Sequence, residues 1–260
     1  MNKPGDDPNS IESVDRAFGI LDIIAKSDGL TLTEIANELS IPKSSLHRHL
    51  STLTQLGAVT KEDGEYHLGL HFLYYGIIAR KRHDPRSVIR DGVRYLAEQT
   101  DERAQYMVWE HNAVIYIYRE LGSHGVQTDT MTGKWMPPHA TSGGKAILAH
   151  LPSTITESYF SSRTFKSYTD HTITDADTLR EELDRIRDLG YSINDEEYIE
   201  GLRAVSVPVK INEDELIGAI SVSGPSHRFR EDRLHDELPN LLLGVANEIE
   251  LKYTYQQSGV

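Results

Sequence analysis

The chain of 260 residues contains no cysteine. Disulfide frameworks, thiolate metal sites and cysteine nucleophiles are therefore excluded. No apolar run approaches membrane-spanning length, so no membrane partner is expected. The opening stretch, MNKPGDDPNS, lacks the apolar core of a signal peptide. Residues 1–9 are predicted to be a disordered tail, and the protein to be cytoplasmic. Positive charge is scarce: 27 Lys and Arg face 40 Asp and Glu, for a net charge of −13. That balance is unusual for a partner of nucleic acid, whose nonspecific affinity comes from cations displacing counterions. Two readings stay open. The chain does not bind DNA, or it works in a high-salt cytoplasm. Molar salt screens phosphate attraction within a few ångströms, and an acidic, hydrated surface helps solubility there. Acidic excess with Arg favoured over Lys resembles a halophilic archaeal protein.

The 12 His residues include His47, His49, His111 and His139, but no HExxH and no other ligand spacing. No metal site and no cofactor are expected.

Against this background one stretch stands out, Thr31 to Leu70. Thr31-Leu32-Thr33-Glu34 is a capping box, after which Ile35, Ala36 and Leu39 recur at helical spacing. Ser40-Ile41 makes a tight connection, and Pro42 suits the first turn of a second helix. Leu46, Leu50 and Leu53 form one stripe of that helix. Lys43, Ser44, Ser45, His47, Arg48 and Ser51 fall largely on the opposite face, which carries no carboxylate. Such a face can lie in a DNA major groove, with Arg reading guanine and Ser and Lys touching phosphate. Gly57 can end the helix, and Asp63-Gly64 between Val59-Thr60-Lys61 and Tyr66-His67-Leu68 signals a hairpin. The order predicts a winged helix-turn-helix. The plainer alternative is a helical hairpin used only for packing.

Around this module the chain is read in order. A first helix, capped by Ser10 or Ser13, presents Val14, Ala17, Phe18, Leu21, Ile24 and Ala25 on one face, and Asp28-Gly29 closes it. The apolar, aromatic stretch from Leu70 to Lys81 reads as a linker helix, packed either on a second copy or on its own domain. The charge run ending at Pro85 marks a boundary. Beyond it come a helix over 86–99, strands over 103–109 and 113–119, a possible strand over 126–131, and helices over 141–151 and 152–160. A helix capped by Thr174-Asp175-Ala176-Asp177 carries Leu179, Leu183, Ile186 and Leu189 and ends at Gly190. Strands over 203–211 and 216–224 and a closing helix over 230–255 complete the domain.

The late hairpin permits a register argument. With residues 212–215 as the loop, Ile211 faces Leu216, Ser206 faces Ser221 and Ala204 faces Ser223. One face then carries Ala204, Ser206, Ser221 and Ser223, and the other Val205, Val207, Ile220 and Val222. The small hydroxyl face fits either a ligand pocket or a solvent-facing hydroxyl ladder.

Ser142-Gly143-Gly144-Lys145 matches the S-x-x-K pattern of some serine hydrolases, but so does Ser40 to Lys43, and the partner motifs are absent. A helix N-terminus with free amides, suited to an anionic group, is the better reading. Gly133-Lys134 and Gly144-Lys145 lack the remainder of a P-loop. Asp195-Glu196-Glu197 reads as a charged turn.

SVDRAFGILDIIA, LTEIANELSIPKSSLHRHLSTLTQLGAV, YHLGLHFLYYG, HATSGGKAILA, GYSINDEEYIEGLRAVSVPV and AISVSGP, in this order, resemble the isocitrate lyase regulator (IclR) family of transcription factors from about Ser13 to Glu250. The resemblance implies an α+β chain with an N-terminal winged helix-turn-helix over 10–69, a linker helix over 70–84 and a GAF-like α/β effector-binding domain over 85–257. It implies a homodimer or tetramer that binds a double-stranded DNA operator and represses or activates catabolic genes in response to a small-molecule effector such as an organic, aromatic or sugar acid. Carried over by motif, DNA is read by Lys43, Ser44, Ser45, His47, Arg48 and Ser51. The effector is held by Thr128, Met136, Ser142, Gly143, Asn194, Leu202, Ala204, Ser221 and Ser223. Three positions depart from the family pattern: Asn194 replaces a frequent Asp, Ala204 a common Cys, and His49 an aliphatic residue. A hydrolase using Ser142 and Lys145 and a constitutive DNA-binding scaffold are the alternatives.

Overall fold

The capping box forms as its residue types dictate. In the computed structural model, which describes residues 10–83, 87–126, 131–161, 164–211 and 215–257, the Thr31 hydroxyl accepts the Glu34 amide at 3.4 Å. The Glu34 carboxylate accepts the Thr31 amide at 2.8 Å. These bonds start helix α2 (Leu32–Leu39), which follows α1 (Glu12–Ile24) and the short strand β1 (Leu30–Thr31). Ser40 turns the chain in the left-handed region, with φ 53°. Pro42 is the N-cap of α3 (Lys43–Gln55) rather than its first helical residue. Gly57, at φ 72°, follows the end of α3. The hairpin β2 (Val59–Glu62) and β3 (Glu65–Leu68) closes through Asp63 and Gly64, both at positive φ, a two-residue turn matched to strand twist. Leu30 and Thr31 add a third antiparallel strand by pairing with Tyr66 and Glu65. Two residues carry no periodicity, so sequence reasoning missed it.

Ile20, Leu21, Ile24, Ile35, Leu46, Leu50, Leu53, Val59 and Tyr66 form the core of this unit. The predicted stripe of α1 is corrected here. Val14 and Phe18 are exposed, no side chain caps the helix, and it ends at Ile24, short of Asp28-Gly29. The helix packs on α2 and β3, and its buried side chains, Ile20, Leu21 and Ile24, lie in its last turns. Helix α4 (His71–Lys81) forms as expected and buries none of its residues.

The chain divides into two units between Arg82 and His83. The second is built on one antiparallel sheet in the order β6-β5-β4-β9-β8-β7. Its strands are β4 (Arg103–Glu110), β5 (Ala113–Leu121), β6 (Trp135–Met136), β7 (Ser192–Asp195), β8 (Leu202–Ile211) and β9 (Glu215–Pro225). β4 and β5 turn through His111 and Asn112, both at positive φ. On one face α5 (Ser87–Thr100) and α9 (Leu238–Gln257), entered through a π-helical turn at Arg233–Glu237, pack on Val205, Val207, Ile220 and Val222. On the other lies α6 (Ser142–His150), backed by α7 (Ser153–Ser161) and α8 (Ala176–Leu189).

Several details differ from expectation. Asp175 alone caps α8, accepting the Thr178 amide at 2.8 Å, and Leu189 is exposed. β6 and β7 were not foreseen. The possible strand over 126–131 falls mostly outside the described residues, and neither Val126 nor Met131 is strand. In the late hairpin Ser206 faces Ser221 and Ala204 faces Ser223, but Ile211 faces Glu215. A bulge between Val209 and Lys210 absorbs the difference. It leaves one residue extra beside Gly218, where any Cβ would meet the Met107 carbonyl.

Candidate functional sites

Helix α3 separates its two faces cleanly. Leu46, Leu50 and Leu53 are buried, whereas Lys43, Ser44, His47, Arg48 and Ser51 are exposed and Ser45 is half-buried. No Asp or Glu lies between Lys43 and Gln55. Lys43 donates to the Thr33 hydroxyl at 3.0 Å, tying the start of α3 to α2. His49 is half-buried at the rim of the apolar stripe.

The second site begins at the N-terminus of α6. Its N-cap, Thr141, donates its hydroxyl to the Pro137 carbonyl at 2.9 Å, so no side chain caps the first amides. Glycine is required here by close approach. A Cβ on Gly144 would collide with the Pro138 backbone, and one on Gly143 with the Met107 sulfur. Ser142 bonds Ser206 across the gap to the sheet at 2.7 Å, and its carbonyl accepts from Ser192 at 2.5 Å. A cavity of about 30 Å³ lies between this helix start and the hydroxyl face of the sheet. Met136, Ser142, Gly143, Asn194, Leu202, Ala204, Ser221 and Ser223 line it. Thr128 lies outside the described residues. Sequence reasoning brought eight of its residues together and missed others, notably Arg103, Gln105, Tyr116 and Tyr198. Arg103 and Gln105 stand opposite Ser223 and Ser221 because β4 pairs with β9. The strand over 103–109 was legible; its pairing with a strand more than 100 residues away was not. Burial lowers the Arg103 guanidinium pKa and pushes the Tyr116 phenol up to about 12.

Against known proteins, residues 79–251 match the family model described as the bacterial transcriptional regulator IclR C-terminal domain, and residues 13–63 match the IclR helix-turn-helix domain. The chain belongs to the IclR family. The probable HTH-type transcriptional regulator ArcR of Halobacterium salinarum is 34% identical over 250 residues, covering 95% of each chain. The transcriptional repressor IclR of Escherichia coli is 30% identical, over 94% of this chain and 90% of the relative. The crystal structure of Thermotoga maritima IclR superposes with a TM-score of 0.74 at 27% identity, covering 93% of this chain and 98% of that one. As an IclR-family member the protein is a DNA-binding transcription regulator with an effector-binding domain, and not an enzyme.

The internal geometry agrees with setting the hydrolase aside. Ser142 is engaged with Ser206, while Lys145, 1% exposed, is held by Glu197 at 2.5 Å and Glu182 at 3.4 Å. A lysine ion-paired to two carboxylates is a poor base for a serine. The reading of Asp195 to Glu197 as a charged turn needs correction at its last residue. Glu197 is buried, with one carboxylate oxygen on Lys145 and the other without a hydrogen-bond partner. Burial raises its pKa against the opposing pull of Lys145. Among the described residues no group of three or more His, Asp or Glu could hold a metal ion, and no helix is long and apolar enough to cross a membrane.

Proposed function

We propose that the protein reads an operator with Lys43, Ser44, Ser45, His47, Arg48 and Ser51, and that a small organic, aromatic or sugar acid in the α6 cavity controls this binding at catabolic genes in the cytoplasm. The observation that carries the DNA reading is the exposed, carboxylate-free face of α3 in a chain of net charge −13. The cavity between Ser142, Gly143, Asn194, Ser221 and Ser223 supports the effector reading, because it combines small residues, hydroxyls and uncapped amides.

The protein acts as a homodimer or tetramer in this reading, with residues 70–84 as the link between residues 10–69 and residues 85–257. The exposed Leu73, Tyr74, Ile77 and Ile78 of α4 offer an apolar surface for a second copy. Two α3 helices then meet two half-sites. Control is a population shift: the effector binds two arrangements of the dimer unequally and so changes the separation of the recognition helices. The Thr128 assignment rests on motif alone.

The deciding experiment is genome-wide occupancy at native salt, wild type against Arg48→Ala. Sharp peaks that vanish in the variant support the reading. Peaks unchanged in the variant reject Arg48 as a base reader. Peaks that ignore every carbon source favour a constitutive DNA-binding scaffold.

A further inference from the structure

The α6 cavity is too small, as it stands, for the acids proposed to bind there. About 30 Å³ holds roughly two or three waters, which is less than even acetate needs. A wall must therefore move, and burial indicates which one. Of the described residues lining the cavity, only Tyr198, Ile199 and Leu202 are not buried. Tyr198 and Ile199 belong to the turn 196–201 between β7 and β8, and Leu202 opens β8. The remaining lining residues sit in strands of the sheet or at the start of α6. The turn is held from two directions. Toward α6, Glu197 Oε1 accepts from Lys145 Nζ at 2.5 Å. The Glu197 amide donates to Asn194 Oδ1 at 3.2 Å, and Asn194 Nδ2 donates to the Ala140 carbonyl at 2.5 Å. Residues 166–172 supply the second set of contacts. The Thr169 hydroxyl donates to the Glu196 carbonyl at 2.8 Å, and the Thr172 hydroxyl to the Glu197 carbonyl at 2.6 Å. The Tyr168 and Tyr198 rings meet with centroids 4.9 Å apart.

We infer that the turn 196–201 is the gate of the α6 cavity, and that residues 166–172 are the latch that holds it shut. The Lys145–Glu197 pair is the anchor. Both partners are buried, so the pair stays made while Tyr198 and Ile199 swing outward. Parting the latch breaks the Thr169 and Thr172 hydrogen bonds and one ring contact, which costs far less than unfolding the domain. The inference rests on the cavity being the effector site only for the identity of what passes the gate.

The chain has no cysteine, so a single introduced thiol reports opening without any effector. Ser221→Cys places the thiol in the cavity. Val222→Cys places it one residue on, in the core on the other face of the same strand. Both native residues are buried. Each full-length variant is treated in molar KCl with methyl methanethiosulfonate, a small neutral thiol reagent, and the reaction is followed by mass spectrometry. The cavity thiol is expected to react about tenfold or more faster than the core thiol, which is reached only by unfolding. Thr172→Val, which removes the latch hydroxyl, and Tyr198→Ala should each raise the ratio of the two rates severalfold. Thr172→Ser, which keeps the hydroxyl, should leave the ratio at its starting value. If Thr172→Val does not fold, Tyr198→Ala and Thr172→Ser carry the test. Equal rates for the two thiols, or a ratio that neither Thr172→Val nor Tyr198→Ala changes, overturns the gate. Operator affinity separates this inference from the effector reading. Thiomethylation of Ser221→Cys fills the cavity, and operator binding unaltered by it rejects the effector reading while the rate ratios still decide the gate.

Discussion

Replacing Lys145 with methionine should cost stability in a pH-dependent manner. Lys145 is 1% exposed, and its Nζ lies 2.5 Å from Glu197 Oε1. Methionine fills similar space but leaves Glu197 buried without its cation. Breaking such a pair costs about 3–5 kcal/mol when the orphan stays charged. Glu197 has a cheaper escape, which is to take up a proton. Against the ordinary carboxyl value of 4.5, protonation at pH 7 costs at most about 3.4 kcal/mol at 1.36 kcal/mol per pH unit. The loss is therefore capped near 3 kcal/mol at neutral pH. Its sign with pH follows from linkage. The folded variant holds a proton that the unfolded chain has released above pH 4.5, so stability falls by about 1.4 kcal/mol per pH unit above that value. In the wild type burial already raises the Glu197 pKa, so stability falls only until that value is passed. The gap between the two proteins is thus small at pH 5 and widest at pH 7 to 8. Lys145→Met combined with Glu197→Gln should recover at least half of it, because a neutral amide needs no counter-charge. Urea midpoints at fixed molar KCl between pH 5 and 8 measure this, since salt does not screen a buried pair. A deficit independent of pH, or a double variant no better than the single, would refute the reasoning.

Other substitutions probe other links. Arg48→Ala should weaken specific operator binding by about 1–3 kcal/mol if its guanidinium pairs with a guanine, and fluorescence anisotropy with operator and scrambled duplexes reads this. Thr31→Ala removes the hydroxyl that caps α2 and should cost about 0.5–2 kcal/mol in thermal unfolding of the helix-turn-helix. The Thr31 hydroxyl and amide hold Glu34 below its usual value, so this cap contributes above the ordinary carboxyl range and is lost as pH falls through the Glu34 pKa. Gly144→Ala should destabilise by about 1–3 kcal/mol, because its Cβ meets the Pro138 backbone. Gly143→Ala should cost less, because the flexible Met107 side chain can turn away; equal losses by calorimetry would contradict that contrast.

The same contrast between near and distant neighbours decides what can be read from the chain. The sequence by itself determined the pieces whose signals lie within a few residues. Thr31 finds Glu34 three positions on, Asp63-Gly64 accepts positive φ, and the alternation of β8 and β9 puts Ala204, Ser206, Ser221 and Ser223 on one face. Each is set by local geometry, so the recognition helix and half of the cavity were legible without coordinates. Tertiary structure alone decided the rest. β4 lies beside β9, which carries Arg103 to Ser223 and Gln105 to Ser221. Glu197 leaves its charged turn to meet Lys145 under α6. The last turns of α1 bury while Phe18 stays in solvent. No local pattern encodes these, because which strand pairs with which, and which charge is buried, is selected by the burial and hydrogen bonding of the whole domain at once.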